Sequence, residues 1–282
     1  MASRKTVLIT GCSDDGIGSG LALTFQRQDY HVFAAARYPQ KKMAKLRDLP
    51  NVTLLSLAVY NKGHNTAAVE AVTEHTGGKL DYPVNEARNH FMPILDEDLE
   101  TTKKLYETNV WGPIAVTQAF TPLVIRARGT VTFITSIAGH LNVAYMGTYV
   151  ASKRTLEIIA ETLRLELTRF HVRVLSIVPG AVKTMGQTYF TDFQILQGSL
   201  YRPIEQTMAT RAQRGDGNPR EDLMVYSRKV VREITTGTSS TFWCGAGAGF
   251  MRFGAALMPG SLLDNAVLRG TDIDVLANQN KL

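Results

Sequence analysis

Apolar positions along the chain fall into two alternating arrangements. Short runs at residues 6–10, 31–36, 52–57, 130–135 and 172–178 are β-branched or aliphatic almost throughout, the pattern of strands buried on both faces. The longer segments between them carry apolar residues at helical spacing. Strand and helix repeated in this way imply right-handed crossovers and an α/β fold built on a doubly wound parallel sheet. Ligands of such sheets bind beyond the carboxyl ends of the strands, near the switch point.

No Pro/Ser-rich linker, low-complexity run or internal repeat divides the 282 residues, and a hydrophobic content of 44% suffices for one large core. A single domain is therefore expected. The longest apolar or glycine run, residues 242–251, is about half the length of a membrane span. The first ten residues run straight into a strand without the apolar core and cleavage site of a secretory signal. The two cysteines lie far apart, which suits a reducing compartment, so a cytoplasmic location is expected, either free or peripheral to the endoplasmic reticulum or lipid droplets. A net charge of +6 would favour anionic ligands or an anionic lipid surface, but the basic residues are scattered with no aromatic-interleaved stripe, which argues against nucleic acid. The six histidines are dispersed, and no metal site is expected.

The first strand leads into TGCSDDGIGSG at residues 10–20. There Gly11 can turn out of the strand, Gly16 and Gly18 can admit a diphosphate, and the following helix offers free N–H groups. Asp14 and Asp15 put two carboxylates in the same loop. At about 6 Å from a phosphate and an effective dielectric near 20, one would cost roughly 3 kcal/mol. Pointed outward, screening would reduce the penalty to little. Further along, Tyr149 and Lys153 stand four apart in a segment that continues as a helix, so they share a face. An ammonium beside a phenol is expected to lower its pKa towards that of an acid–base catalyst. Ser136, just after a strand, can donate to a substrate carbonyl. After the second strand Arg37 stands where a carboxylate would bind the ribose hydroxyls of NAD; a guanidinium suits a 2′-phosphate, and NADP(H) is favoured.

On these residues the chain resembles the short-chain dehydrogenase/reductase family over residues 5–185. The glycine motif TGxxxGxG is met, with one extra residue, by Thr10, Gly11, Gly16 and Gly18; TNVWG, SIAG and YVASK supply Asn109, Ser136, Tyr149 and Lys153; PGAVKT supplies Pro179, Gly180, Val182 and Thr184. The resemblance implies a Rossmann-like cofactor-binding and catalytic core over 5–185, with residues 186–282 forming a substrate-binding lid and C-terminal extension. It implies that Tyr149 exchanges the proton and that Lys153 holds the nicotinamide ribose and tunes Tyr149. Ser136 would orient the carbonyl, Asn109 would anchor a proton-relay water, and Thr184 would contact the carboxamide. Ser13, Ile17, Asn85 and Ala87 would complete the cofactor contacts. Within the family the longer glycine loop, the segment FWCGAGAGFMRFGAALMPGSLLD and the terminal RGTDID are similar to fungal NADPH-dependent 1-acyl dihydroxyacetone phosphate reductases.

Three departures fall on the adenosine side. Ala58 replaces a common Asp, the NNAG segment reads Asn85, Glu86, Ala87 without its glycine, and Pro83 stands inside a central strand, where it removes a ladder donor. A locally disturbed fourth strand is expected. Three functions are open: an NADPH-dependent oxidoreductase interconverting a ketone and a secondary alcohol on an apolar substrate of lipid, polyketide or terpenoid type; an enzyme with weakened or lost cofactor use that isomerises, dehydrates or cyclises by acid–base chemistry; and, against the intact Asn109, Ser136, Tyr149 and Lys153, a non-catalytic binding protein. The aromatic and aliphatic segment 185–204 reads as a lid over an apolar substrate or as a helix packed into the core. Residues 242–263 would line a lipid-sized pocket, touch a membrane or pack at a subunit interface. Apolar residues around the helix of Tyr149 suggest a subunit contact, and the resemblance implies a homodimer or homotetramer.

Overall fold

The computed structural model describes residues 4–86, 88–185 and 190–277, the side chains of 255 and 256 excepted. Its centre is a sheet of seven parallel strands in the order β3-β2-β1-β4-β5-β6-β7. The strands are β1 (Thr6–Ile9), β2 (His31–Ala36), β3 (Val52–Ser56), β4 (Tyr82–Asn85), β5 (Thr130–Ile134), β6 (Arg173–Pro179) and β7 (Thr241–Cys244). The helices are α1 (Ile17–Arg27), α2 (Pro39–Lys42), α3 (Lys62–Thr76), α4 (Leu99–Tyr106), α5 (Gly112–Ala127), α6 (Gly147–Leu167), α7 (Glu205–Ala212), α8 (Leu223–Thr236), α9 (Ala248–Leu257), α10 (Gly260–Leu268) and α11 (Ile273–Ala277).

The uninterrupted apolar character of the strands is satisfied on both faces. On one, Leu21 and Phe25 of α1 and Tyr226, Val230 and Ile234 of α8 pack over Val7, Ile9 and Ile177. On the other, Val72 of α3, Phe120 of α5 and Leu156 of α6 cover Leu8, Phe33 and Phe133. The order reverses between β1 and β4, so the loops after those strands diverge and leave a crevice, as the doubly wound pattern requires. This is the single-domain α/β architecture that the alternation of runs implies. The sequence runs did not mark β7, which the glycine-rich C-terminal segment contributes beside β6.

Pro83 disturbs β4 on one side only. Tyr82, Pro83 and Val84 keep full register with Val7, Leu8 and Ile9 of β1. The Asp81 carbonyl accepts from Thr130 N–H, so alternate residues 81, 83 and 85 address β5. Pro83 lacks the N–H that would face that strand, and pairing of β4 with β5 begins at Val84.

The segment after residue 190 forms a third packed group rather than a free flap. Ile195, Ile204, Met208 and Ala212 are buried with Phe91 and Tyr145, and Phe190, Phe193 and Tyr201 close around them. Tyr145 Oη donates to the Thr271 carbonyl at 2.7 Å, which fastens the C-terminal end to the same group. No helix among the described residues is long and apolar enough to cross a membrane.

Candidate active site

The loop after β1 is held as a cradle. Gly11 turns at φ +70, and Cys12 N–H reaches back to the Ala35 carbonyl of β2 at 3.0 Å. Gly16 caps α1 with no side-chain acceptor, and the first turn contains no acidic residue. The orphan N–H groups of that turn therefore keep their capacity for an anion, beside Ser13, Gly16 and Ile17, which line the crevice. Gly18 acts one layer deeper than expected. A Cβ there would lie 2.6 Å from the Gly11 carbonyl oxygen, so its bareness lets α1 close onto the loop, and it does not line the crevice.

Asp14 and Asp15 are both compensated. Asp14 accepts from the main-chain N–H groups of Ala44 and Lys45 at 2.9 and 3.1 Å. Asp15 takes the Lys45 ammonium at 2.6 Å. The additional loop residue thus tethers the cradle to the segment after α2, and neither carboxylate stands as an uncompensated charge against a phosphate.

Ser136, Tyr149 and Lys153 come together beneath the crevice. Tyr149 and Lys153 lie one turn apart on α6, and Ser136 follows β5. Burial pushes the Tyr149 phenol up to about 12; its hydrogen bond with Ser136 opposes that shift and the Glu86 charge adds to it. Burial brings the Lys153 ammonium down to about 8, against the opposing pull of Glu86. The direction at Tyr149 is the reverse of the one expected from spacing. Lys153 Nζ donates to the Ile134 carbonyl at 2.8 Å and stands 5.8 Å from the phenol ring centroid, so burial outweighs its help to a phenolate.

Asn109 is fully buried in the π turn Glu107–Trp111 between α4 and α5. Its carboxamide accepts from Arg88 N–H at 3.1 Å and donates to the Arg88 carbonyl at 3.0 Å and to Ser152 Oγ at 3.1 Å. The side chain braces the strand-end loop and does not face the crevice. Asn85 also differs from its expected cofactor contact: it is buried, donates to Thr117 Oγ1 of α5 at 3.3 Å, and lies behind the wall of the crevice. The even position at the end of β4 turns it towards the helix layer. Ala87 lies outside the described residues.

The remaining wall is formed by Pro179, Gly180, Val182 and Thr184 after β6, with Arg37 after β2. Thr184 is clamped by Arg214, which donates to its carbonyl at 2.9 Å and to its hydroxyl at 2.8 Å. The enclosed volume is about 680 Å³, the size of a ligand site. Phe190, from the segment read as a lid, also lines it, as do Glu86, Arg88, Arg214 and Arg220, none of which sequence reasoning assigned to binding. The glycine missing after Ala87 was the available signal for Arg88. No such signal marked Arg214 or Arg220, which arrive from beyond α7.

The residues fit a pyridine dinucleotide: an uncapped helix terminus for a diphosphate, two arginines on the adenosine side and an acid–base group at the far end. Among the described residues no group of three or more metal-ligating side chains assembles.

Comparisons with known proteins identify the family. The family model for short chain dehydrogenase matches residues 5–194. The chain is 42% identical over 257 residues to short-chain dehydrogenase PC-15 of Penicillium crustosum, covering 91% of this chain and 94% of that one. It is 35% identical over 213 residues to the NADPH-dependent 1-acyldihydroxyacetone phosphate reductase of Schizosaccharomyces pombe, covering 73% and 71%. A short chain dehydrogenase from Burkholderia cenocepacia, solved in complex with NADP, superposes with a TM-score of 0.74 at 20% identity, over 93% of this chain and 97% of that one, and shares the fold. The chain belongs to the short-chain dehydrogenase family of oxidoreductases.

Proposed function

We propose that the protein is an NADPH-dependent oxidoreductase interconverting a ketone and a secondary alcohol on an apolar substrate. The observation that carries this reading is the buried Tyr149 phenol, hydrogen-bonded to Ser136 with Lys153 beside it, at the end of a crevice that begins at the uncapped terminus of α1. A dinucleotide held by the α1 terminus, Arg37 and Lys153 would supply or accept the hydride. A phenol held near 12 is protonated at neutral pH, which suits donation to a carbonyl oxygen as the carbon is reduced. Ser136 Oγ accepts from Ala138 N–H at 3.1 Å and shares a hydrogen bond with the Tyr149 phenol, so its hydroxyl would turn from the phenol to the substrate oxygen when substrate binds. Lys153 spends one of its donors on Ile134 and keeps others for a ribose and for the phenolate that proton transfer leaves. Because the Asn109 side chain is spent on Arg88 and Ser152, a relay water at Asn109 is held by its main chain. Ile137, Ala138, Met146 and Phe190 line the crevice near Tyr149 and fit an apolar substrate. The relation to a reductase of an acylated ketone phosphate supports a lipid-type substrate, and a polyketide or terpenoid ketone fits equally.

Exposed Ile158 and Leu165 on α6 support a homodimer or homotetramer. Exposed Phe250, Phe253 and Leu257 on α9 support peripheral contact of the C-terminal segment with a membrane.

A second reading, the non-redox acid–base enzyme, has Glu86 in its favour. Its carboxylate rests on Gly11, with Oε2 2.4 Å from where a Cβ would stand, inside the crevice a dinucleotide would enter. Calorimetric titration with NADPH and NADH separates the two. Micromolar binding that prefers NADPH, followed by ketone-dependent loss of nicotinamide absorbance, supports the reductase; no binding at millimolar nucleotide overturns it.

A further inference from the structure

Two guanidiniums share the adenosine side of the crevice. Arg37 follows β2 and Arg88 follows β4, with only β1 between these strands, and because all run parallel both loops leave at the same edge. Both residues line the same crevice. Their recorded hydrogen bonds are all main-chain: the Arg37 carbonyl accepts from Ser56, and Arg88 is bonded through N–H and carbonyl to Asn109. Neither guanidinium has a hydrogen-bond or carboxylate partner among the described residues. Burial and then the proximity of Arg37 hold Arg88 below the usual arginine range. Glu86, two residues away, acts on Lys153 and Tyr149 instead of neutralising Arg88.

Arg88 is also kept from moving off. The double hydrogen bond from Asn109 fixes its main chain, and Asn109 is anchored in the π turn and to Ser152. Two like charges held together without a counter-charge, on a rigid support, fit an incoming anion. A phosphate monoester carries close to two negative charges and three acceptor oxygens, enough for both planar forks, whereas a ribose hydroxyl would leave both charges uncompensated.

We propose that Arg88, together with Arg37, forms a two-guanidinium clamp for the phosphate monoester at the 2′ position of the adenosine ribose, so that the arginine following the altered NNAG segment is a determinant of cofactor specificity. This rests on the reading of the chain as an NADPH enzyme.

Calorimetric titration with 2′,5′-ADP and 5′-AMP isolates the clamp, because the two ligands differ only in the 2′-phosphate. The proteins to compare are the unaltered chain, Arg37→Met, Arg88→Met, the double variant and Arg88→Lys, each checked for an unchanged circular dichroism spectrum. The unaltered chain is expected to prefer 2′,5′-ADP. Arg88→Met should reduce that preference by about tenfold to a hundredfold while changing 5′-AMP affinity less than about twofold, as for loss of a charge-assisted contact. Arg88→Lys should fall between. An unchanged preference in Arg88→Met, or an equal loss for both ligands, overturns the clamp and leaves the NADPH reading standing if NADPH still binds. Failure of the unaltered chain to bind either ligand or NADPH overturns both.

Discussion

The carboxamide of Asn109 is hydrogen-bonded to both the N–H and the carbonyl of Arg88, at 3.1 and 3.0 Å, and so mimics a strand partner for a loop that has just left the sheet. Substitution by Leu would fill the space and strand these two polar groups, while Ser152 Oγ keeps its bond to the Tyr149 carbonyl. Each stranded buried group costs about 1–3 kcal/mol, so Asn109→Leu is expected to destabilise the fold by about 2–4 kcal/mol in urea denaturation. A loss below about 1 kcal/mol would mean that the loop re-pairs elsewhere.

Tyr149→Phe removes the proton donor and leaves the ring, Lys153 and the cradle in place. Turnover in a ketone reduction assay should fall by about 10²–10⁴-fold with NADPH affinity unchanged within about twofold. Parallel loss of cofactor binding would show that the phenol is structural.

Gly18 and Gly249 make a matched pair. A Cβ at Gly18 would press 2.6 Å from the Gly11 carbonyl oxygen, while one at Gly249 meets nothing within 4 Å. Gly18→Ala should lower both the melting temperature and nucleotide affinity, the latter by about tenfold or more, whereas Gly249→Ala in α9 should be neutral or stabilising by up to about 1 kcal/mol. Equal melting temperatures for the two variants would contradict the tight approach of α1 to the loop.

His31 gives a pH dependence. Burial, the neighbouring His75 and Arg4 bring it down to about 4, and its ring lies 3.8 Å from that of His75. The unfolded chain takes this proton near 6.5, so between about 6.5 and 4 the unfolded state binds more protons and stability falls as pH falls. Discounted for the exposed face of the ring, the loss is about 1–2 kcal/mol. Melting curves at pH 7 and pH 4.5 should show it, and His31→Phe should flatten that part of the profile. An identical acid loss in the variant assigns the effect to other groups.

The layered fold was legible because five of the strands read as short, largely apolar runs alternating with helical patterns, and the acid–base residues were legible because Tyr149 and Lys153 fall on one helical face after a strand-end serine. What the sequence did not reveal depends on partners far along the chain. The fate of Asp14 and Asp15 is decided by Ala44 and Lys45, thirty residues on. The extent of the Pro83 disturbance follows from which neighbour its missing donor faces, a matter of register. Arg88 was visible only as an absent glycine, since nothing local says that its side chain would meet Arg37. The aromatic segment after residue 190 found its packing partners at Phe91 and Tyr145, on separate loops.

Gly180 is pinned by the turn after β7, where a Cβ would meet the Ala246 carbonyl oxygen at 2.1 Å, and Ala181 N–H donates to that same carbonyl at 2.9 Å. The wall of the crevice at residues 179–184 is thus propped by a segment synthesised more than sixty residues later. On the ribosome, a nascent chain that has already emitted Ser136, Tyr149 and Lys153 still lacks the support for that wall. A premature stop before residue 246 would leave the acid–base group without its finished pocket, which makes ligand binding a test of whether translation passed that residue.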